Sequence, residues 1–226
     1  MTETIRLTAA DGHQLDAYVA RPVGTPKGGV VVLQEIFGVN AHIRSVCDKF
    51  AAEGWLAIAP ALFDRFKPGF ESGYSPEEIQ VALGLIKTAN WEDLVTDTRA
   101  GIHWLKSEGE SASIVGFCLG GSLAFDAATR FDDLASSVGY YGGRINGFAD
   151  KTPICPVLLH YGETDASIPL SNVEEVRAKR PDVEIHLYPA GHGFNRGAPG
   201  TPEAEQAAIA WARTTDFLAK HGQTKA

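Results

Sequence analysis

The stretch Ser111-Ala112-Ser113-Ile114-Val115-Gly116-Phe117-Cys118-Leu119-Gly120-Gly121-Ser122 constrains the fold more than any other part of the chain. It opens on a β-branched run, Ile114-Val115, and passes through Gly116-Phe117-Cys118-Leu119-Gly120. It leaves as an alanine-rich helical pattern from Ser122 to Thr129. A strand, a sharp turn and a helix that meet at one cysteine form the context of a nucleophile elbow, G-x-S-x-G, with Cys118 in the serine's place. Glycines at 116, 120 and 121 keep such a turn open where side chains would strike the crossing strand and helix. The turn also aims a thiol at a helix N-terminus, whose dipole and free N–H groups favour a thiolate and can hold an oxyanion. Taken alone, these residues fit an apolar strand with a buried, inert cysteine equally well, so the rest of the chain has to decide.

Strands and helices alternate on both sides of this turn. Residues 4–20 read as two strands joined by a turn at Asp11-Gly12. Val30–Leu33 and Trp55–Ala59 are short apolar runs of the kind buried on both faces of a sheet. A helix is expected from His42 to Glu53, with Cys47 on its apolar face. Ser75-Pro76-Glu77-Glu78 is a capping box with proline at the first helical position, opening a helix to about Ala89. A further helix runs from Trp91 to Lys106. Strands follow at Leu134–Tyr141, Val157–Tyr161 and Val183–Tyr188, with a helix at Ser171–Lys179 and a last one capped by Thr201-Pro202. The pattern predicts an α/β chain of α/β-hydrolase type, with a mostly parallel central sheet and helices on both faces. With no linker, repeat or low-complexity stretch, it reads as one domain over residues 1–226.

Composition narrows the partners. A formal charge of −8 argues against nucleic acid or an anionic membrane as the main partner, and no apolar run approaches the roughly 20 residues of a membrane span. The first residues lack the blocks of a signal peptide. Three cysteines, Cys47, Cys118 and Cys155, make neither a disulfide framework nor a CxxC metal pair, which points to a reducing cytoplasmic setting.

In parallel sheets, ligands sit beyond the carboxyl ends of the strands. Four segments fall there: Glu35–Asn40, the Cys118 turn, Gly162–Ile168 and a loop at Gly191–Arg196. A thiol nucleophile needs a base, and the base needs an orienting acid. Cys118, Asp165 and His192 occur in the order nucleophile, acid, histidine, each after an expected strand. Asp165 alone fits a helix cap near Ser167-Ile168-Pro169, and His192 alone fits a turn residue. Glu35 follows a buried strand, and Arg196 offers a planar fork suited to a substrate carboxylate or to Glu35.

Four motifs resemble the dienelactone hydrolase family: Gln34-Glu35-Ile36-Phe37-Gly38-Val39-Asn40, Gly116-Phe117-Cys118-Leu119-Gly120-Gly121, Gly139-Tyr140-Tyr141-Gly142 and Ala190-Gly191-His192-Gly193-Phe194. The resemblance runs from about Asp11 to Leu218. It implies a monomeric hydrolase without metal or cofactor, whose best-known members open the lactone ring of dienelactone to maleylacetate. By resemblance, Cys118, Asp165 and His192 are the triad, and the Ile36 and Leu119 amides form the oxyanion hole. Glu35 corresponds to an acid that meets the resting thiol and helps ionise it when substrate arrives. Cys118 is therefore expected to rest turned toward Glu35 and away from His192. Arg196 matches the arginine that receives the substrate carboxylate. Tyr140 and Tyr141 match a tyrosine pair near the pocket, and Phe37 is expected beside the substrate.

One feature departs from the family. Its well-known members bring a second arginine and a tyrosine from the helical segment that here spans Ser75–Leu94, which contains neither residue type. Ile79 and Leu83 stand near those positions, giving the expectation of a more apolar pocket wall. Arg65, Tyr74 and Lys87 are the available substitutes. The resulting expectation is hydrolysis of a lactone or activated, carboxylate-bearing ester, of dienelactone type. The alternative is a broader carboxylesterase or thioesterase. A redox-sensing thiol protein or a silent binding module are rivals of other classes. The first lacks a nearby resolving cysteine, and the second would have no use for an intact triad.

Overall fold

The computed structural model describes residues 1–224 and gathers them into two compact units, Met1–Ser113 joined by Thr224, and Ile114–Gln223. The first unit contains β1 (Thr2–Thr8), β2 (Gln14–Ala20), β3 (Gly29–Leu33), α1 (Ala41–Ala52), β4 (Leu56–Pro60), α2 (Pro76–Ile86) and α3 (Trp91–Ser107). Its strands lie in the order β1-β2-β4-β3. The first two pairings are antiparallel and β3 runs parallel to β4. Both β3 and β4 are buried along their whole length, as their uninterrupted apolar sequences require.

Caps set the helix boundaries. The Asn40 side chain accepts from the Ile43 amide to start α1, and Ser75 and Glu78 close the expected reciprocal capping box on α2. That helix ends at Ile86, short of the expected Ala89. Only Ala82 is buried along it, while Val81 and Leu83 are exposed. In contrast, α3 turns Leu94, Val95, Ile102 and Leu105 inward, each side chain contributing roughly 1.5–3 kcal/mol by leaving water. Gly101 lets this helix approach closely, since a Cβ there would lie 2.8 Å from the Pro60 ring.

The second unit takes up β5 (Ala112–Phe117) and continues through α4 (Leu119–Ala128), β6 (Ser136–Tyr140), α5 (Ile145–Phe148), β7 (Val157–Gly162), α6 (Leu170–Lys179) and β8 (Glu184–Tyr188). A 3-10 turn (Phe194–Arg196) and α7 (Pro202–His221) complete it. The strand order is β5-β6-β7-β8, with β6, β7 and β8 parallel. The sequence did not announce α5, only four residues long. It also read the segment before α7 as plain loop, where the 3-10 turn stands. α4 begins directly after Cys118 rather than at Ser122, and every residue from Leu119 to Ala128 is buried.

Candidate active site

The turn at the end of β5 has the geometry its glycines foretell. Cys118 sits at φ 54°, ψ −110°, a conformation unfavourable for a residue with a side chain. Two hydrogen bonds hold it there: its amide donates to the Tyr140 carbonyl at 2.9 Å, and its carbonyl accepts from Ser122 at 3.2 Å. A Cβ on Gly116 would collide with the Gly120 carbonyl, so no other residue fits at 116 without moving the turn.

The ends of β7 and β8 bring an acid and a histidine to this cysteine. Asp165 is buried, and its Oδ1 accepts from the amides of Ser167 at 2.8 Å and Ile168 at 3.2 Å. Its Oδ2 lies 2.7 Å from His192 Nδ1. Asp165 therefore bonds the turn before α6 with one oxygen and the His192 ring with the other. The other ring nitrogen, Nε2, lies 3.2 Å from Cys118 Sγ. The sulfur thus faces the histidine, contrary to the expectation of a thiol turned away from it. Burial is the largest influence on His192 and would push it down. The hydrogen bonds and charges of Asp165 and Cys118 outweigh burial and raise it from the ordinary 6.5 to about 10.

Arg196, in the 3-10 turn, folds back on the residue beside the histidine. Gly193 has φ 73°, and a Cβ there would lie 2.7 Å from the Arg196 guanidinium carbon. The cation is thereby held against the His192 loop.

The tyrosine pair divides. Tyr141 takes a left-handed φ of 39° just past β6, and its ring stands 5.0 Å from the His192 ring. Tyr140 points the other way. Both are fully buried, but the Tyr140 hydroxyl lies 2.6 Å from Thr214 Oγ1, a core contact where a substrate contact was expected.

In the first unit, Glu35 is also buried, and the Tyr74 hydroxyl donates to its Oε2 at 3.3 Å. Asn40, the cap of α1, donates to the same Tyr74 oxygen at 3.0 Å. The Phe37 ring packs edge-on against Tyr74 with centroids 4.7 Å apart. Gly38, at φ 78°, passes so close to the Phe70 carbonyl that a Cβ would collide with it, fixing the loop that carries Glu35, Ile36 and Phe37. Tyr74 is thus one partner of Glu35, a role that residue spacing did not signal. Arg65, considered as a substitute cation, is committed elsewhere. It grips buried Asp97 through Nε and Nη2, both at 2.8 Å, and Asp11 through Nη1 at 2.7 Å. The other cysteines are held toward the neutral thiol: burial pushes Cys155 up to about 12 and Cys47 higher still. Among the described residues, no group of three or more His, Cys, Asp or Glu side chains could hold a metal ion, and no helix is long and apolar enough to cross a membrane.

Parallel strands feeding a strained cysteine turn, with acid and histidine at the ends of later strands, define an α/β-hydrolase. The chain belongs to the dienelactone hydrolase family, whose model matches residues 15–222. It is 34% identical over 230 residues to carboxymethylenebutenolidase of Pseudomonas putida, covering 97% of both chains. It is 33% identical over 232 residues to carboxymethylenebutenolidase 1 of Cupriavidus pinatubonensis, again covering 97% of both. A crystal structure of a Klebsiella pneumoniae protein assigned as a dienelactone hydrolase superposes with a TM-score of 0.85 at 30% identity, covering 98% of this chain and all of that one. The chain is accordingly a hydrolase acting on carboxylic esters or lactones.

Proposed function

We propose that Cys118 is the nucleophile of a dienelactone-type ring opening, with His192 as its base and acid and Asp165 as the group that orients His192. The observation that carries this reading is the unbroken line from Asp165 Oδ2 through the His192 ring to Cys118 Sγ, at 2.7 and 3.2 Å. A protonated imidazole facing the sulfur favours the thiolate by direct charge attraction. The thiolate attacks the lactone carbonyl, forming the S–C bond. The negative charge gathers on the carbonyl oxygen, where the Leu119 amide at the start of α4 offers a donor. Collapse breaks the ring C–O bond, and the leaving enolate takes the proton from His192 Nε2. A water then gives a proton back to His192 and attacks the thioester. The C–S bond breaks, releasing the acid and restoring the thiolate. Glu35, Ile36 and Phe37 enter this reading on the resemblance of their loop.

Arg196 is the cation we assign to a substrate carboxylate. With Arg65 committed to Asp97 and Asp11, fewer charges hold that carboxylate than in the well-known relatives. Dienelactone is then accepted alongside neutral or bulkier esters, which favours a broader carboxylesterase as the second reading. A turnover panel of dienelactone, aryl esters and thioesters, run with and without thiol alkylation, tests this function. Hydrolysis abolished by alkylation supports it, and hydrolysis indifferent to alkylation refutes it.

A further inference from the structure

On β7, the strand that leads to Asp165, lies a second histidine that the mechanism does not use. His160 is in the middle of β7 and fully buried. A buried imidazole is costly unless both nitrogens find partners. Its Nδ1 lies 2.7 Å from the Tyr188 hydroxyl and its Nε2 lies 3.0 Å from Thr214 Oγ1, which in turn lies 2.6 Å from the Tyr140 hydroxyl. One chain of hydrogen bonds therefore ties β6, β7, β8 and α7 together. At its Tyr188 end, the Arg213 guanidinium lies over the ring, 5.3 Å from the centroid.

Tyr188 is the residue through which this chain reaches the active site. Its carbonyl accepts from the Glu163 and Ala190 amides, both at 2.7 Å. Glu163 starts the loop to Asp165, and Ala190 the loop to His192. Thr164 donates to the Ala190 carbonyl at 3.1 Å, and a Cβ on Gly162 would collide with that same carbonyl, so the two loop bases are in close contact. The aromatic rings make a parallel connection. Tyr188 packs on Phe194 at 5.1 Å, Phe194 on Tyr141 at 5.6 Å, and Tyr141 on His192 at 5.0 Å.

We propose that His160 is a positioning residue for the reaction: by pinning Tyr188 and Tyr140 it sets the spacing of the strand ends that present Asp165 and His192. The proposal rests on the functional reading above. A connected set of buried hydrogen bonds selects one arrangement where an apolar core would tolerate several, and catalysis responds to displacements of about 1 Å.

The test uses Tyr188→Phe, which removes one hydroxyl, together with His160→Phe and His160→Gln. Iodoacetamide modification of Cys118 is followed against pH on the Cys118 peptide by mass spectrometry, with thermal melts in parallel. Loosening the Asp165–His192 contact weakens the imidazolium that favours the thiolate. Tyr188→Phe and His160→Phe are therefore expected to move the alkylation curve about one unit to higher pH, making modification at pH 6 roughly tenfold slower. Glutamine, whose amide can both donate and accept, is expected to restore part of the shift. If His160→Phe does not fold, Tyr188→Phe decides alone. A folded Tyr188→Phe protein with a lower Tm but an unmoved alkylation curve overturns the proposal and leaves the network purely structural. Failure of the functional reading shows differently, as ester hydrolysis surviving in Cys118→Ala.

Discussion

His192 and His160 stand on the same unit, one half-buried and one fully buried, and are driven in opposite directions. Burial acts on both toward the neutral form. At His160 it wins, helped by the nearby His186 and Arg213, and the ring is held well below its ordinary value. At His192 a carboxylate on one nitrogen and a thiol on the other reverse it and raise the ring to about 10. Burial acts on both rings, more completely on His160, and the acidic partners of His192 are what reverse it there. Hydroxyl partners favour the neutral ring at His160, while a carboxylate and a thiol favour the charged one at His192.

The contrast can be broken at several points. Removing the sulfur should have the largest effect. Cys118→Ala is expected to lose at least about 10⁴-fold in kcat, while Cys47→Ala and Cys155→Ala keep turnover, as measured by steady-state ester hydrolysis. Asp165→Asn takes away the acidic partner and should make His192 resemble His160. Turnover is expected to fall roughly 10³- to 10⁴-fold, with the His192 titration, read by NMR, dropping from its present position near 10. Arg196→Ala should cost about ten- to a hundredfold in kcat/KM on carboxylate-bearing esters and little on neutral ones, the worth of one charge-assisted hydrogen bond of roughly 1.5–3 kcal/mol. Arg65→Met should leave that selectivity ratio unmoved while lowering stability by about 3–5 kcal/mol, because buried Asp97 loses its partner.

Stability against pH offers the gentlest discrimination. His192 is raised in the folded state, so its contribution is fully present below about 6.5 and is lost as pH rises through about 10. His160 is lowered, so the unfolded chain takes up a proton that the folded chain refuses, and stability falls as pH drops below about 6.5. Melting curves across this range should flatten on the alkaline side in His192→Gln and on the acid side in His160→Gln. Unchanged slopes in both would contradict the assignment of opposite charge states.

Much of this arrangement was legible in the sequence because it is local. The Gly116-Phe117-Cys118-Leu119-Gly120 turn, the Ser75 capping box and the buried runs at Val30 and Leu56 are each specified by residues a few positions apart. The order Cys118, Asp165, His192 needed only the rule that parallel strands present their loops at one end. What stayed hidden depends on contacts between residues far apart in the chain. Nothing near Tyr140 distinguishes it from Tyr141; the alternation of a strand sends one to Thr214 and leaves the other beside His192. Tyr74 is 39 positions from Glu35, and only the path of the irregular segment before α2 joins them. Arg65 was free to be a substrate cation until Asp97 proved to lie beside it. The one signal for His160 was its place in the apolar run Val157–Tyr161, where a buried imidazole has to be hydrogen-bonded.

The complete burial of α4 bears on how the enzyme would lose activity in storage or heat. A helix with no solvent-facing residue cannot fray outward and is among the last parts of a unit to exchange its amide hydrogens. Cys118 sits at the head of that slow-opening segment. Inactivation on heating should then keep pace with global unfolding of the second unit, with no earlier phase of local melting at the cysteine. A half-life for activity that matches the half-life for the folded state would be the practical mark of that arrangement.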